Sequence, residues 1–326
     1  MDKNSLRIVY MGTPDFAVEP LKKLIENNYN IVGVITNPDK PAGRGQKIQE
    51  SAVKKYAASQ NLNILQPEKF RNEDFLKNLK ALNADLQIIV AFKMLPEMVW
   101  DMPKLGTFNL HASLLPQYRG AAPINWAIIN GDKETGVTTF FLRHDIDTGN
   151  IIFQGKIEIG EDDNAGIVHD KLMYAGADLV IKTVDAIIKN DYPQINQDEL
   201  IDASTEIKHA PKIFKNDCKI NWEKDVNTIQ NLIRGLSPYP ASWTEIVNEN
   251  NEKIQLKIYK SDKEIAEHSL ETGEIVTDEK NFLKVVVKGG YIHIVELQQA
   301  GKKRLNVLDF LKGFSGIKNY QFSTKV

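Results

Sequence analysis

The first half of the chain alternates short apolar runs with segments of helical spacing. Strand-like apolar runs lie at 6–11, 31–36, 85–91 and 106–111. Between them, the segments 14–28 and 50–60 place apolar residues on one helical face. Continuous apolar strands separated by helices are typical of a parallel sheet that helices cover on both faces. The pattern therefore predicts an α/β fold with a doubly wound, mostly parallel, Rossmann-like sheet.

The pattern changes near residue 190. The stretch 190–207 is polar and rich in Asn, Asp and Gln, which indicates a linker. Beyond it, residues 253–259 alternate with period two, and Lys288-Gly289-Gly290 lies between two apolar runs, a hairpin signal. We therefore predict an α/β domain over 1–189, a linker over 190–207 and a smaller β barrel or sandwich over 208–326.

Composition narrows the class of protein. The chain has 326 residues, 42% hydrophobic and 26% charged, as expected for a globular protein of two domains. Its single cysteine, Cys218, excludes an intrachain disulfide and favours a reducing compartment. The N-terminus has no long apolar segment, and no apolar stretch approaches ~18 residues. We therefore expect no signal peptide and no membrane partner.

Charge differs between the two halves of the chain. Residues 1–207 contain 22 Lys and Arg against 28 Asp and Glu, a net charge of −6, whereas residues 208–326 contain 19 against 15, a net charge of +4. Such an asymmetry suggests that the second half binds a polyanion. A solvated basic surface accounts for the same numbers equally well.

Asn109 and His111 are the first candidates for chemistry. They end the strand-like run 106–111, and residues two apart in a strand lie on the same side of a sheet. In open α/β sheets, ligands bind beyond the carboxyl ends of the strands. An amide and an imidazole therefore converge where a site is expected, although a structural histidine is an equally common reason for such a position.

Asp147 lies in the segment Arg143–Gly149, which joins strands predicted at 137–142 and 151–153. An Asp before Thr-Gly is also ordinary turn chemistry. If Asp147 reaches His111, its carboxylate will fix the tautomer of the ring and stabilise the imidazolium.

Two rival sites use some of the same residues. A Ser113–His111–Asp147 hydrolase lacks the Gly-x-Ser-x-Gly elbow that presents such a serine. A metal site built from His144, Asp145 and Asp147 has no recognisable ligand spacing, so we expect no metal.

Two loops bear on phosphate-containing ligands. The turn Gly12–Ala17 lacks the second and third glycines of the dinucleotide fingerprint, which disfavours a nicotinamide cofactor. The Gly- and Pro-rich loop 38–47 contains Lys40, Arg44 and Lys47. It is either a mobile surface loop or a flexible arm that closes on phosphates and stacks Arg44 on a base or ribose.

Several motifs together resemble the methionyl-tRNA formyltransferases. The matching segments are Gly12–Ala17, Pro41–Gly45, Asn109–Pro116, Arg119–Ile124, Asp147–Gly149 and Arg234–Pro240. The resemblance implies a formyl-transfer catalytic domain over 1–189 and an OB-like, tRNA-binding barrel over 208–326.

The resemblance also implies the role of each site residue. Asn109, His111 and Asp147 are the implied catalytic residues. The implied folate-binding residues are Ser113, Leu114, Leu115 and Pro116. The implied tRNA-binding residues are Arg44, Lys47, Lys302, Lys303 and Arg304.

The reaction implied by the resemblance is formyl transfer from 10-formyltetrahydrofolate to the α-amino group of methionyl-initiator-tRNA, for translation initiation. The implied enzyme needs no metal and is a cytoplasmic monomer. Two alternatives stay open. One is a folate-dependent formyltransferase with another amine acceptor, such as an amino-sugar nucleotide or glycinamide ribonucleotide. The other is a non-catalytic RNA-binding protein, against which the intact set of Asn109, His111 and Asp147 argues.

Overall fold

The structure is a computed structural model that describes residues 2–42, 47–201 and 206–324. It divides into two compact units. The first comprises Met1–Gly120, Gly136–Ile157 and His169–His209, and the second comprises Ala121–Thr135, Glu158–Val168 and Ala210–Val326. Each unit is built from three stretches of chain, and the domain boundaries expected at 189 and 207 stay predictions.

The described elements of the first 189 residues include both strands and helices. In chain order they are β1 (Arg7–Gly12), α1 (Val18–Glu26), β2 (Asn30–Ile35), β3 (Lys40–Ala42), β4 (Lys47–Gln49), α2 (Ala52–Ser59), β5 (Ile64–Leu65), α3 (Glu73–Ala81), β6 (Leu86–Val90), α4 (Glu97–Trp100), β7 (Thr107–His111), β8 (Arg119–Gly120), α5 (Pro123–Ile129), β9 (Glu134–Phe141), β10 (Ile151–Glu158) and α6 (Ala165–Lys189).

The later elements are mostly strands. They are β11 (His209–Ala210), α7 (Val226–Leu236), β12 (Ser242–Asn248), β13 (Lys253–Ile265), β14 (Ile275–Thr277), β15 (Leu283–Val287), β16 (Gly290–Gln299), β17 (Arg304–Asn306), α8 (Val307–Gly313) and β18 (Tyr320–Phe322). In the described part of the chain, no helix is both long enough and apolar enough to cross a membrane.

The first unit is built on a seven-stranded sheet in the order β10-β9-β7-β6-β1-β2-β5. The five strands from β7 to β5 pair in parallel, and β9 pairs with β7 in the antiparallel sense. This confirms the predicted mostly parallel α/β sheet. It also adds an antiparallel edge, which an apolar strand pattern does not distinguish from a parallel one.

Strand β1, the middle one of the five parallel strands, belongs to the core. Its residues from Ile8 to Met11 are fully buried, and the Tyr10 hydroxyl donates a hydrogen bond of 2.6 Å to the carbonyl oxygen of Ala17. At Gly12, a Cβ atom would lie 2.6 Å from the Cβ of Ala17. The Gly12–Ala17 motif therefore fits a tight strand-to-helix turn that only glycine permits without displacement.

The second unit contains a nearly closed antiparallel sheet in the order β14-β15-β16-β13-β12-β18, with β17 beside β16. The Phe322 amide donates a hydrogen bond of 2.9 Å to the carbonyl oxygen of Gly273, just before β14, and so brings the two edges of the sheet together. Trp222 is fully buried in the core and packs edge-on against Phe322. The predicted smaller barrel is confirmed.

Helix α7 packs against this sheet and against α5. Gly235 allows the close approach of α5, since a Cβ there would lie 2.7 Å from Cγ1 of Ile129. The buried Arg234 guanidinium donates hydrogen bonds to the carbonyl oxygens of Gly160 (3.2 Å) and Asp163 (3.0 Å). Burial lowers the pKa of Arg234. The Arg234–Pro240 motif thus begins with a residue that fastens the segment 158–168 to α7 within the second unit.

We expect Asp225→Ala to destabilise α7 by about 1 kcal/mol, because the Asp225 side chain caps the helix through the amides of Asn227 and Thr228. Hydrogen–deuterium exchange of the peptide 226–236 should rise in Asp225→Ala and stay near wild type in Asp225→Asn, which retains a capping oxygen. Equal exchange in wild type and Asp225→Ala would contradict the assignment of this cap.

The same cap should also affect how the stability of the protein depends on pH. Hydrogen bonds from Thr228 lower the pKa of Asp225 in the folded protein. The carboxylate therefore contributes fully above its unfolded value of about 3.9 and loses its contribution as pH falls through the folded value. Wild type should accordingly approach Asp225→Ala in stability at acidic pH.

Candidate active site

Strand β7 places Asn109 and His111 on one side of the sheet. In the register with β9, Asn109 lies opposite Phe140 and His111 lies opposite Thr138, so the predicted strand geometry is present. His111 is buried, with 7% of its side chain exposed, whereas Asn109 is half-buried. The side-chain amide of Asn109 has no hydrogen-bond partner among the described residues, so it is available to a ligand.

The His111 ring has one nitrogen fixed and one nitrogen open. Nε2 lies 2.9 Å from the carbonyl oxygen of Tyr118, and a carbonyl only accepts hydrogen bonds. Nε2 therefore carries a proton whether the ring is neutral or cationic. Nδ1 is left as the nitrogen at which a proton can arrive or leave.

Asp147 faces that open nitrogen. Its Oδ2 lies 4.0 Å from Nδ1 of His111 and accepts a hydrogen bond of 3.0 Å from the amide of Gly120. A separation of 4.0 Å is too long for a direct hydrogen bond, so the carboxylate acts on the ring by its charge. The geometry therefore places a carboxylate oxygen beside the ring nitrogen that is not bonded to the backbone.

The turn that presents Asp147 has an unusual backbone. Asp147 has a φ of 55°, in the left-handed region that residues other than glycine rarely adopt. At Gly149, a Cβ would lie 1.6 Å from the carbonyl oxygen of Phe141. Glycine is therefore sterically required at the last position of the Asp-Thr-Gly motif, where the turn approaches the end of β9.

The loop after β7 is held by hydrogen bonds from polar side chains, of which Ser113 and Thr138 are buried. The Ser113 hydroxyl, fully buried, donates to the carbonyl oxygen of Gln117 at 2.6 Å. The Thr138 hydroxyl donates to the carbonyl oxygen of Ser113 (2.7 Å) and accepts from the amide of Leu115 (3.1 Å). Gln154 donates to the carbonyl oxygen of Leu115 at 2.8 Å. These bonds fix the backbone that ends at the Tyr118 carbonyl.

The same contacts bear on the predicted folate-binding residues. Ser113, Leu115 and Pro116 are buried, and Leu114 is half-buried. Gly136 makes room for Leu114, because a Cβ there would lie 2.5 Å from its Cδ2. Binding by these four residues stays a prediction, and only Leu114 among them offers an accessible side chain.

The hydrolase alternative does not fit the site. The Ser113 hydroxyl and Nε2 of His111 each bond to a backbone carbonyl, and no hydrogen bond joins the two side chains within the described structure. A serine nucleophile needs such a bond to its general base.

The metal alternative has no support in the described residues. His144 is 75% exposed and pairs with Glu97, at 3.3 Å, rather than with Asp145 or Asp147. Within the described ranges, no group of three or more His, Cys, Asp or Glu side chains could hold a metal ion.

Lys93 follows β6 at the same sheet edge as His111. Its Nζ lies 4.5 Å from the centroid of the Phe70 ring. Burial, and then the charge of Lys40, lowers the pKa of Lys93. Lys93 is an exposed side chain near the carboxyl end of the sheet, and the sequence indicates no role for it.

Sequence reasoning also missed Arg119 and Gln197 as parts of the site. Gln197 is 1% exposed and bonds both to Arg119 and to the turn that contains Asp147. It lies in the polar stretch expected to be a linker, where composition alone does not distinguish a buried glutamine from a solvated one. The one available signal for Arg119 was its place in the Arg119–Ile124 motif.

The predicted tRNA-binding cations of the barrel lie around one hairpin. Lys302 and Lys303 are exposed in the turn between β16 and β17. Arg304 pairs with Glu296, and its guanidinium lies 4.3 Å from the centroid of the Tyr259 ring. Lys302 and Lys303 make no ion pair in the described structure. Their positive charges are therefore less compensated than that of Arg304.

The predicted arm of the first unit is partly described. Strands β3 and β4 pair in the antiparallel sense and flank it, with Lys47 as the first residue of β4. Arg44 lies outside the described residues. Contact of Lys302, Lys303, Arg304, Lys47 and Arg44 with tRNA stays a prediction.

Comparison with known proteins identifies the family. The profile of the Formyl transferase family matches residues 6–184, and that of the Formyl transferase, C-terminal domain, matches residues 212–315. The methionyl-tRNA formyltransferase of Bacteroides fragilis is 59% identical over 96% of this chain and 97% of its own. That of Phocaeicola vulgatus is 61% identical over 96% and 97%. The chain belongs to the methionyl-tRNA formyltransferase family.

Solved structures share the family's fold at lower identity. The sugar 3N-formyl transferase WlaRD superposes with a TM-score of 0.64 at 24% identity and covers 91% of this chain and 99% of its own. The N-formyltransferase of Helicobacter canadensis has a TM-score of 0.63 at 22% identity and covers 92% and 100%. The two-part architecture thus recurs in formyltransferases of different sequence.

We expect Thr138→Val to loosen the loop 112–118, because it removes the hydroxyl that bonds Ser113 and Leu115. Leaving such buried partners unsatisfied costs about 1–3 kcal/mol. Hydrogen–deuterium exchange of this loop should rise.

Thr139→Val is the matched control. Thr139 is equally buried, but its hydroxyl bonds Thr183 in α6 at 2.8 Å. It should lower stability without changing exchange in the loop. The same change of loop exchange in both variants would show that Thr138 has no specific role there.

Proposed function

We propose that this chain transfers the formyl group of 10-formyltetrahydrofolate to the α-amino group of methionyl-initiator-tRNA, for translation initiation. The observation that supports this most directly is that Nδ1 of His111 lies 4.0 Å from Oδ2 of Asp147. His111 also lies on the same strand as Asn109, whose side-chain amide has no partner among the described residues. The relatives that share this sequence over almost their whole length are named methionyl-tRNA formyltransferases.

The proposed reaction makes one bond and breaks another. The amino nitrogen forms a C–N bond with the formyl carbon, and the bond between that carbon and N10 of the folate breaks. One proton leaves the amine and one proton is gained at N10, so charge and atoms balance. A free α-amino group has a pKa of about 7.7–8.0, so the amine needs little activation, and the developing oxyanion and the leaving nitrogen need more help.

Asn109 and His111 supply the donors for that oxyanion in our proposal. Asn109 lies on the paired strand β7, and its side-chain amide has no competing partner among the described residues. Since Nε2 of His111 is bonded to Tyr118, the ring can donate to a substrate only from Nδ1. Donors fixed before the reaction stabilise developing charge without reorganisation cost.

Asp147 supports His111 and takes part in the proton transfer. Its carboxylate favours the cationic ring by charge, and the gap of 4.0 Å allows a proton to pass through a water or a substrate atom. The Gly120 amide holds Oδ2 in this position. The side chain thus acts beside the reacting groups without a covalent step.

We place the folate against the loop 112–118 and the tRNA against the barrel. The loop backbone is rigidly bonded, and Leu114 offers its partly exposed side chain. The uncompensated charges of Lys302 and Lys303, and the net charge of +4 after residue 207, suit a phosphate backbone. Arg44 and Lys47 are proposed to approach the acceptor end of the same tRNA.

A different amine acceptor is the second candidate. WlaRD is a sugar formyltransferase, and the Helicobacter canadensis structure is a complex with dTDP-3-aminofucose. Those chains are 22–24% identical to this one, whereas the tRNA-dependent relatives are about 60% identical. We therefore favour charged tRNA as the acceptor, which places the enzyme in the cytoplasm. A monomer stays a prediction.

A direct assay tests the acceptor. With 10-formyltetrahydrofolate as donor, formylation should be fast with charged initiator tRNA and slow with a dTDP-amino sugar or glycinamide ribonucleotide at equal concentration. Removal of the tRNA should abolish turnover. Faster formylation of either small amine than of methionyl-tRNA would overturn the proposed acceptor.

We expect His111→Ala to lower kcat by about 10²–10³, as removal of one oxyanion donor does elsewhere. We expect Asp147→Asn to lower kcat by about 10²–10⁴, the range for loss of a group that takes part in proton transfer. Because the two side chains act together, the double variant should be little slower than His111→Ala. Steady-state kinetics with saturating folate and tRNA measures both effects.

The same loop offers matched controls. His144 and Asp145 precede Asp147, and neither faces the His111 ring in the described contacts. His144→Ala and Asp145→Asn should keep near wild-type kcat. Near wild-type turnover of His111→Ala or Asp147→Asn would refute the assignment.

A further inference from the structure

Gln197 is a fully bonded, buried amide in contact with the Asp147 turn. Its Nε2 donates to the carbonyl oxygens of Asp147 (2.8 Å) and Gly149 (2.9 Å). Its Oε1 accepts from Nε (3.0 Å) and Nη2 (2.7 Å) of Arg119. Arginine only donates and a carbonyl only accepts, so these partners allow a single orientation of the amide.

The turn depends on such a contact. Asp147 holds a left-handed backbone with φ of 55°, which is unfavourable for a residue with a Cβ unless its surroundings enforce it. The two N–H groups of Gln197 fix the carbonyls on both sides of Thr148. They therefore fix the backbone conformation from which the Asp147 carboxylate extends.

Strand β8 links the two ends of this arrangement. Its residue Arg119 orients the Gln197 amide, and its next residue, Gly120, donates its backbone N–H to Oδ2 of Asp147. One short strand therefore contributes to fixing both parts of Asp147: Arg119 orients the glutamine that bonds its backbone, and Gly120 bonds its carboxylate. Movement of Gln197 would alter the position of one with respect to the other.

Gln197 is itself held from outside the turn. Ile195, two residues earlier, exchanges backbone hydrogen bonds of 2.9 Å and 3.0 Å with Ile151, the first residue of β10. A 3₁₀ helix, Gln197–Leu200, begins at the glutamine, and the Asn196 side chain caps it. The position of Gln197 is therefore set by contacts outside the turn, and does not depend on the turn alone.

We propose that Gln197, oriented by Arg119, is a positioning residue that sets the Asp147 carboxylate opposite Nδ1 of His111. This inference rests on the proposed function, since it concerns the part that Asp147 plays in formyl transfer. Gln197 acts only through Asp147 and touches no reacting atom.

The inference makes a specific kinetic prediction for Gln197→Met, which keeps the side-chain length and removes all four hydrogen bonds. A misplacement of about 1 Å costs up to about 100-fold in rate, so kcat should fall about tenfold to a hundredfold while KM for folate and for tRNA changes little. In an Asp147→Asn background the same substitution should cause no further loss, because the group it positions is already disabled.

Gln87→Met is the matched control. Gln87 is also 1% exposed and also accepts a hydrogen bond, from the Thr107 hydroxyl at 3.1 Å, but it lies in β6 beside the start of β7. It should lower stability and leave kcat per folded molecule unchanged. If Gln197→Met does not fold, Arg119→Lys tests the same pair, since it keeps the charge but loses the two-point contact.

The outcomes separate this inference from the proposed function. A fall in kcat for Gln197→Met or Arg119→Lys that disappears in the Asp147→Asn background supports positioning. Wild-type kcat in these variants, or an equal further loss in the Asp147→Asn background, overturns positioning alone. Wild-type kcat in Asp147→Asn, or no formylation of methionyl-tRNA by the unmodified enzyme, overturns the proposed function and the inference together.

Discussion

The hydrogen bond between Nε2 of His111 and the carbonyl oxygen of Tyr118 decides what this site can do. At 2.9 Å it assigns one ring proton permanently to the protein interior. In the proposed reaction the ring therefore exchanges protons at Nδ1, the nitrogen that faces Asp147. A site with the opposite ring orientation would place the same residues together and leave the reactive nitrogen pointing into the protein.

Much of the surrounding structure serves to keep that carbonyl and that carboxylate in place. Thr138 and Gln154 hold the loop that leads from His111 to Tyr118, and Gly120 and Gln197 hold Asp147. Thr138 and Gln197 are buried, so their polar groups cost free energy if they are left unsatisfied. Their mutual satisfaction makes the site rigid before any ligand binds, which is the condition for efficient electrostatic stabilisation of a transition state.

The sequence predicted those features that periodicity or local motifs encode. Period two placed Asn109 and His111 on one side of a strand, and apolar runs predicted the strands of the first sheet and the barrel hairpin. The family resemblance identified Asp147 as a candidate catalytic residue. Strand direction escaped prediction, because β9 is buried along most of its length, as the parallel strand β6 is, and burial does not report direction.

Buried polar residues escaped prediction for a related reason. Gln197 lies among residues typical of a linker, and its burial depends on Arg119, 78 positions away. Folate binding by Ser113 stays a prediction, and the structure adds a hydrogen bond that the sequence did not indicate, from the Ser113 hydroxyl to the Gln117 carbonyl inside the same loop. In both cases the deciding interaction is a hydrogen bond made by the folded chain, which no local pattern reports.

Nitrogen-15 NMR of the His111 ring tests the central claim most directly. With uniformly labelled histidine, and His111→Gln to assign the signal among the six histidines, the two ring nitrogens report which one is protonated in the neutral form. The account predicts a protonated Nε2 and a bare Nδ1. A neutral ring protonated at Nδ1 would contradict it, because the reactive nitrogen would then be the one bonded to Tyr118.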